Sequence, residues 1–381
     1  MSGEVSLEPY VERLVALSEF VHAHPELGYE ERESSAAVAD LLESSGFTVT
    51  RGVGGLPTAF RATAGQGSLH VVVCCEYDAL PDVGHACGHN LIAASSAGAG
   101  LALLEHLDEA DLRVTVLGTP SEEGGGGKID LIHAGEFDDA HFAMMVHPWP
   151  DERLEAQCLA VDHFDVIYEG REAHASAAPW EGINALDAQT IAQVAVGLLR
   201  QHLRPGDQVH SIISDGGVAA NIVPQRTVAR YMARSVDLDR LDALRQRLTR
   251  CFEAGALATG SRLEQVEIGS RFSHMVSHPG ILAHYRQAAE ALGRRFDADD
   301  EGRPRPTLST DMANVSLVVP SIHPLIRLET HGAVNHQPEF TASCLGENAE
   351  ATLRDGALAL AATALTVARD ENLRTQLLGG H

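Results

Sequence analysis

Between Cys74 and Asn90 the chain reads C-C-E-Y-D-A-L-P-D-V-G-H-A-C-G-H-N, with His85, Cys87 and His89 close behind the apolar run Leu69 to Cys74. Thiolate, imidazole and carboxylate groups meeting in one segment suit a metal or catalytic site better than a disulfide framework when nothing signals secretion. The alternative is that Cys74, Cys75 and Cys87 are small buried hydrophobes and the histidines lie on the surface. A second cluster, T-P-S-E-E-G-G-G-G-K, follows directly on the strand-like run Arg113 to Gly118. Glu122 and Glu123 then stand at the carboxyl end of a strand, where open α/β sheets bind their ligands. The four glycines permit positive φ and close backbone approach. The run lacks the spacing and the G-K-S/T ending of a phosphate loop, which argues against nucleotide binding. A third strand-like run, H-F-A-M-M-V-H, delivers His147 to the same kind of position, and a late H-Q-P-E-F supplies His336.

A pair of divalent ions about 3.5–4 Å apart needs several N, S or O ligands, a bridging group and a bound water. Cys87, His89, Glu122, Glu123, His147 and His336 offer one thiolate, three imidazoles and two carboxylates. One carboxylate is then left over. A free carboxylate beside an activated water is a general base, which can take the proton and pass it to a leaving amine. The set points to hydrolysis of an amide bond.

The elements that must position these residues alternate. Apolar spacing predicts a helix over 7–23, ended by His24-Pro25, and a second from about Glu26 to Ser45. Short strands are expected near 47–50, 58–64 and 69–75, then a small-residue helix from Ala93 to His106. This alternation reads as an α/β fold, a mixed, mostly parallel sheet flanked by helices. From Leu159 the pattern changes to antiparallel-style alternation, predicting an inserted α+β domain. The expected division is 1–159 and 271–381 for the catalytic domain, with the insert at 160–270. After it, apolar strands are expected over Leu308–Val319, a long helix over 348–370, and a loose tail in the last ten residues.

A length of 381 residues favours two domains. The formal charge of −25, from 28 basic and 53 acidic side chains, excludes nucleic acid and anionic membrane as natural partners. Six irregularly spaced cysteines, no apolar leader-like stretch at the start and no run of apolar residues long enough to span a bilayer lead to the expectation of a cytoplasmic protein.

H-P-E-L-G-Y-E-E (24–31), E-Y-D-A-L-P with H-A-C-G-H-N (76–90), P-S-E-E-G-G-G-G-K (120–128), G-R-E-A-H-A-S (170–176), N-I-V-P (221–224) and H-Q-P-E-F (336–340) occur in this order. Together they resemble the aminoacylase and dipeptidase metallopeptidase family. The chain is most similar to its branch of auxin-conjugate, aminobenzoyl-glutamate and β-alanyl-dipeptide hydrolases. The resemblance implies two divalent ions per chain, zinc or manganese, held by Cys87, His89, Glu123, His147 and His336, with Glu122 as general base. It further implies that Asp78 is an acid behind the ligands, that His174 of the lid stabilises the oxyanion across a homodimer, and that Asn221 contacts the substrate. That substrate would be a small N-acyl amino acid or dipeptide.

Three departures stand out. Glu76 replaces the histidine of relatives with an H-x-D pattern, Asn90 replaces the acid of C-G-H-D, and S-T-D-M (309–312) leaves Asp311 alone to face the site. His85, His323 and His331 are expected to be satisfied structural histidines. Trp180, Arg234 and Arg262 are weaker candidates for substrate contact. Two competing readings are an inactive metal- or peptide-binding member of the fold and a thiol redox protein. The first should have lost ligands, and the second lacks a C-x-x-C pair.

Overall fold

The computed structural model describes residues 5–296 and 307–379. The chain divides into two compact units, one from the residues up to Gln157 and from Met275 onward, the other Cys158–His274. In the first unit α1 (Val11–Ala23) and α2 (Arg32–Glu43) precede β1 (Thr48–Arg51), β2 (Phe60–Ala64) and β3 (Leu69–Cys75). Next come α3 (His89–Leu103), β4 (Leu112–Gly118), α4 (Gly127–His133), β5 (Phe142–Met144), β6 (His147–Trp149) and β7 (Gln157–Cys158). The second unit contains β8 (Ala160–Glu169), α5 (Ala185–Leu199), β9 (Gln208–Asp215), β10 (Arg226–Ser235), α6 (Leu238–Thr259) and β11 (Arg262–Glu267). The returning chain forms α7 (Pro279–Ala291), β12 (Thr307–Leu308), α8 (Met312–Ser316), β13 (Ser321–Ile322), β14 (Leu325–Arg327), α9 (Pro338–Ser343), α10 (Glu347–Arg369) and α11 (Glu371–Gly379).

The main sheet runs β1-β2-β4-β3-β5-β13, with β3, β4, β5 and β13 parallel and β2 and β1 added antiparallel at one edge. All seven residues of β3 are buried. A central strand covered on both faces needs a near-continuous apolar run rather than alternation. The one polar member of β3, His70, is satisfied by the Asp139 carbonyl and Thr115 Oγ1. Cys75 lies opposite Gly118 in the β3–β4 register, so the two strands end level and their following loops leave the sheet side by side.

Helix α3 is buried along its whole length. Its small residues allow close packing on every side, because an added Cβ would meet Ala357 Cβ at 2.9 Å from Gly98 and Val116 Cγ2 at 2.7 Å from Gly100. The helix begins at His89, earlier than its apolar pattern suggests. In the second unit an antiparallel sheet, ordered β11-β8-β10-β9, shares a core with α5 and α6 built around Phe164, Tyr231 and Phe252.

Four expectations change. The helix expected from Glu26 begins only at Arg32, because Tyr29 holds a φ of 66° that a helix cannot contain. The strand-like run 141–147 splits, with β5 in the main sheet and β6 paired to β14 in a separate ribbon. Leu308–Val319 forms the short helix α8 with flanking turns, and only Leu308 lies in a strand. Met312, Val315 and Val319 recur at helical spacing and pack in one buried cluster, and the continuous apolar run hid that period. Residues 371–379 are no loose tail, since α11 buries Leu373 and Leu377 one turn apart; the last two residues of the expected tail lie outside the described residues.

Gly118, at the end of β4, gives a test of this packing. A Cβ there would lie 2.3 Å from the Phe60 ring and 2.7 Å from Tyr77 Oη. Gly118→Ala is expected to cost about 1–3 kcal/mol in urea denaturation. Gly197→Ala, in α5 with nothing among the described residues within 4 Å of the added carbon, should be neutral or stabilising by up to about 1 kcal/mol.

Candidate active site

The ends of the parallel strands carry the chemistry. Beyond β3, Glu76 and Asp78 are buried. His89 opens α3 immediately after Gly88, whose φ of 76° suits glycine. The Nδ1–H of His89 donates to the Asp78 carbonyl at 2.8 Å and lies 3.1 Å from Asp78 Oδ1. Nε2 is therefore the outward ligand atom, 3.6 Å from Glu76 Oε2 and 3.9 Å from Glu123 Oε1. Carboxylate support of this kind sets the tautomer and direction of a metal-binding imidazole. Asp78 Oδ2 accepts the Glu123 N–H at 2.9 Å, so one buried acid orients two candidate ligands.

Beyond β4 the chain turns sharply between Ser121 and Gly127. Gly126 N–H donates to Ser121 O at 2.8 Å, and a Cβ at Gly127 would collide with the Pro120 carbonyl at 1.9 Å. The turn delivers Glu122 into the interior, Glu123 to its edge and Lys128 into the floor. Lys128 Nζ donates to Glu76 Oε1 at 2.6 Å and to Asp311 Oδ1 at 2.7 Å, while its backbone N–H reaches Asp311 Oδ2 at 2.9 Å. All three side chains are fully buried. Asp311 thus serves Lys128.

The ligand atoms of Cys87, His89 and His147 lie within 4.8 Å of one another, as do those of Cys87, Glu123 and His336 and those of His89, Glu122 and Glu123. His147 Nδ1–H donates to the Pro148 carbonyl at 2.8 Å, which turns Nε2 outward. His336 is exposed, with Nε2 3.7 Å from Glu123 Oε2; its φ is 71° and its N–H donates to Ala86 O at 3.0 Å. The fit to metal is good. Buried His89 Nε2 and Glu123 Oε1 have no hydrogen-bond partner among the described residues, and a cation bound between these donors would satisfy both.

Burial, then the carboxylates of Glu76, Glu123 and Asp311, push the Glu122 carboxyl well above its ordinary value. Burial and Glu123 do the same to the Cys87 thiol. For His89 burial opposes the cation, but Asp78, Glu76 and Glu123 outweigh it and raise its pKa well above that of free imidazole. Burial lowers His147 to about 4. A bound cation inverts this balance for thiol and carboxyl groups.

The second unit carries His174 and Asn221, neither of them buried. His174 pairs in an antiparallel bridge with Ile222, and Ala175 N–H donates to Asn221 O at 3.0 Å, which makes the two residues neighbours. The His174 ring accepts at Nδ1 from Ala177 N–H at 3.2 Å, leaving Nε2 outward. Trp180 is exposed on the same unit, and Arg262 pairs with Glu169. Asn90 donates to Ser18 Oγ and Cys344 O in the core, which gives it a packing role. His85 is anchored through Nε2 on the Val21 carbonyl, but its buried Nδ1 has no hydrogen-bond partner among the described residues, so it is only half satisfied; His331 is exposed. His323 departs from the expectation. It is buried beside His147, ring centroids 5.6 Å apart, and neither ring nitrogen has a hydrogen-bond partner among the described residues. Sequence reasoning overlooked Lys128, although a lone lysine after four glycines in so acidic a chain was there to be seen.

Residues 74–366 match the peptidase family M20/M25/M40. The chain belongs to this family. It is 38% identical over 375 residues to the Xaa-Arg dipeptidase of Mus musculus, covering 95% of this chain and 87% of that protein. It is also 32% identical over 280 residues to a p-aminobenzoyl-glutamate hydrolase chain of Escherichia coli, covering 68% of this chain and 58% of that one. The fold is shared with the Bacillus subtilis YXEP protein, a dinuclear metal binding peptidase, at a TM-score of 0.72 and 19% identity over 94% of this chain and 98% of that one. This M20 protein is accordingly a metal-dependent hydrolase of amide bonds.

Its buried charge cluster makes a direct prediction. Lys128→Met strands two carboxylates and should cost about 3–5 kcal/mol in denaturant unfolding. Without the ammonium, burial raises the folded-state pKa of Glu76 and Asp311 above the unfolded value, so the deficit should grow as pH rises and shrink in mild acid.

Proposed function

We propose that the protein cleaves the amide bond of a dipeptide or N-acyl amino acid with Glu122 as general base and two divalent ions as cofactors. The observation that carries this reading is the pair of donor triads sharing Cys87, with Glu122 buried beside them. Cys87, His89, Glu123, His147 and His336 would hold the ions. Such ions, when bound, polarise the scissile carbonyl and acidify a water. Glu122 takes the proton from the attacking water and delivers it to the leaving nitrogen. Asp78 fixes the His89 ring and the Glu123 backbone. His174 would stabilise the oxyanion and Asn221 would contact the substrate. The thiolate favours zinc on softness, with manganese the alternative.

The likeness to Xaa-Arg dipeptidases supports a dipeptide with a basic C-terminal residue. The charge of −25 fits, because an acidic chain attracts cationic substrates. Six free cysteines support a reducing, cytoplasmic setting, and no helix of the described residues is long and apolar enough to cross a membrane. A homodimer is supported by the second unit, where β9 is a sheet edge with Ile212 and Ile213 exposed and α5 exposes Val194 and Leu198.

Glu122→Gln should lower kcat by about 10²–10⁴-fold with metal content unchanged. Turnover at the wild-type rate would refute its role as base. Chelation should abolish activity on dipeptides ending in arginine or lysine, and zinc or manganese should restore it. Ile212→Asp combined with Leu198→Asp should turn a dimer into a monomer in sedimentation; an unchanged dimer would exclude this edge.

A further inference from the structure

The segment H-P-E-L-G-Y-E-E, residues 24–31, takes no part in the reaction outlined above, yet it joins the two loops that carry the acids. The Glu26 carbonyl accepts the N–H of Ala79, next to Asp78, at 2.8 Å, and Leu27 forms a parallel bridge with Ala79. The Glu26 carboxylate accepts the N–H groups of Glu33 and Ser34 at 3.0 and 2.9 Å and so closes the start of α2. Tyr29 Oη donates to Asp130 Oδ2 on α4 at 2.8 Å. Glu31, fully buried, accepts the N–H of Ser121 at 2.7 Å.

That last bond falls on a demanding residue. Ser121 has a φ of 58°, the left-handed region that non-glycine residues avoid, and it immediately precedes Glu122. Its side chain fills the gap between Gly28 and Gly125, where an added Cβ would lie 2.3 and 2.1 Å from Ser121 Oγ. On the other side of Glu122, the Glu123 N–H is held by Asp78. The backbone is therefore gripped before and after Glu122 by two buried carboxylates, Glu31 and Asp78. Burial raises the Glu31 carboxyl to about 7, and in its ionised form it accepts a stronger bond than a neutral acceptor would.

We propose that Glu31 is a positioning residue for hydrolysis: its bond to the Ser121 N–H holds the left-handed turn that aims the Glu122 carboxylate at the ligand set. The proposal rests on the reading of Glu122 as general base.

The test compares wild type, Glu31→Ala, Glu31→Gln and Gly28→Ala in steady-state kinetics on a dipeptide that the wild type hydrolyses, with metal content and Tm measured on each. Glu31→Ala should lower kcat by about 10- to 100-fold, with KM little changed and bound metal retained, as misplacement of a reacting group does. Glu31→Gln keeps an oxygen that can accept the same N–H and should recover most of kcat. Gly28→Ala leaves Glu31 intact but presses on Ser121 Oγ, and should lower kcat in the same way. Wild-type kcat in Glu31→Ala or in Gly28→Ala, or a Gln variant as slow as the Ala variant, overturns the proposal. Should Glu31→Ala lose metal or fail to fold, the kcat of Gly28→Ala decides alone. A wild type that hydrolyses no amide removes the reading of Glu122 as base and this role with it. An active wild type with an equally active Glu31→Ala removes only the role of Glu31.

Discussion

A single ammonium group, Lys128 Nζ, sits fully buried between the carboxylates of Glu76 and Asp311. Taking three charges out of water is costly, and the cost is offset only by close geometry and complete hydrogen bonding. Here the backbone N–H of Lys128 also binds Asp311, so its carboxylate meets two donors of one residue. The cluster links segments distant in sequence: the end of β3, the start of α4 and the turn before α8. With Oε1 of Glu76 committed to Lys128, its Oε2 is directed at His89. The floor of the site and the direction of its acids follow from this arrangement.

Above that floor, carboxylates outnumber cations. Glu122 and Glu123 crowd the same space as Glu76 and Asp78, and burial together with mutual repulsion drives Glu122 toward its protonated form. A general base must be ionised to work. The cationic charge that ionises it is what the thiol, imidazole and carboxylate donors around Cys87 are suited to hold. The same acids that make the site costly to fold favour a bound cation there. The position of Glu31 extends this logic to the backbone, where buried carboxylates grip N–H groups on both sides of Glu122.

The two units divide the work. The first holds every candidate ligand and the candidate base, on loops anchored in a fully buried strand and a fully buried helix. The second carries His174 and Asn221 as solvent-accessible neighbours on a small antiparallel sheet. Rigid placement suits the candidate ligands, and exposure suits residues that would meet substrate or a second copy of the chain.

Much was legible in the residues alone. The apolar run of β3 and the alternation of strand and helix determined the α/β class, because a sheet covered on both faces requires continuous burial. Thiol, imidazole and carboxylate donors clustered beyond the strands pointed to hydrolysis of an amide bond, and the family to which the chain belongs agrees with it. What only the tertiary structure decided were contacts between distant segments. Nothing local marks Lys128 as the partner of both Glu76 and Asp311, 52 and 183 residues away. Glu31 lies 90 residues from the turn it holds. Asn90 looked like a weakened member of the site, yet its amide faces the core. The apolar run before Val319 and the chain end were misread because a short window shows hydrophobicity but not the surface against which it packs. Periodicity reports the face a residue belongs to; the partner across that face is set by the fold.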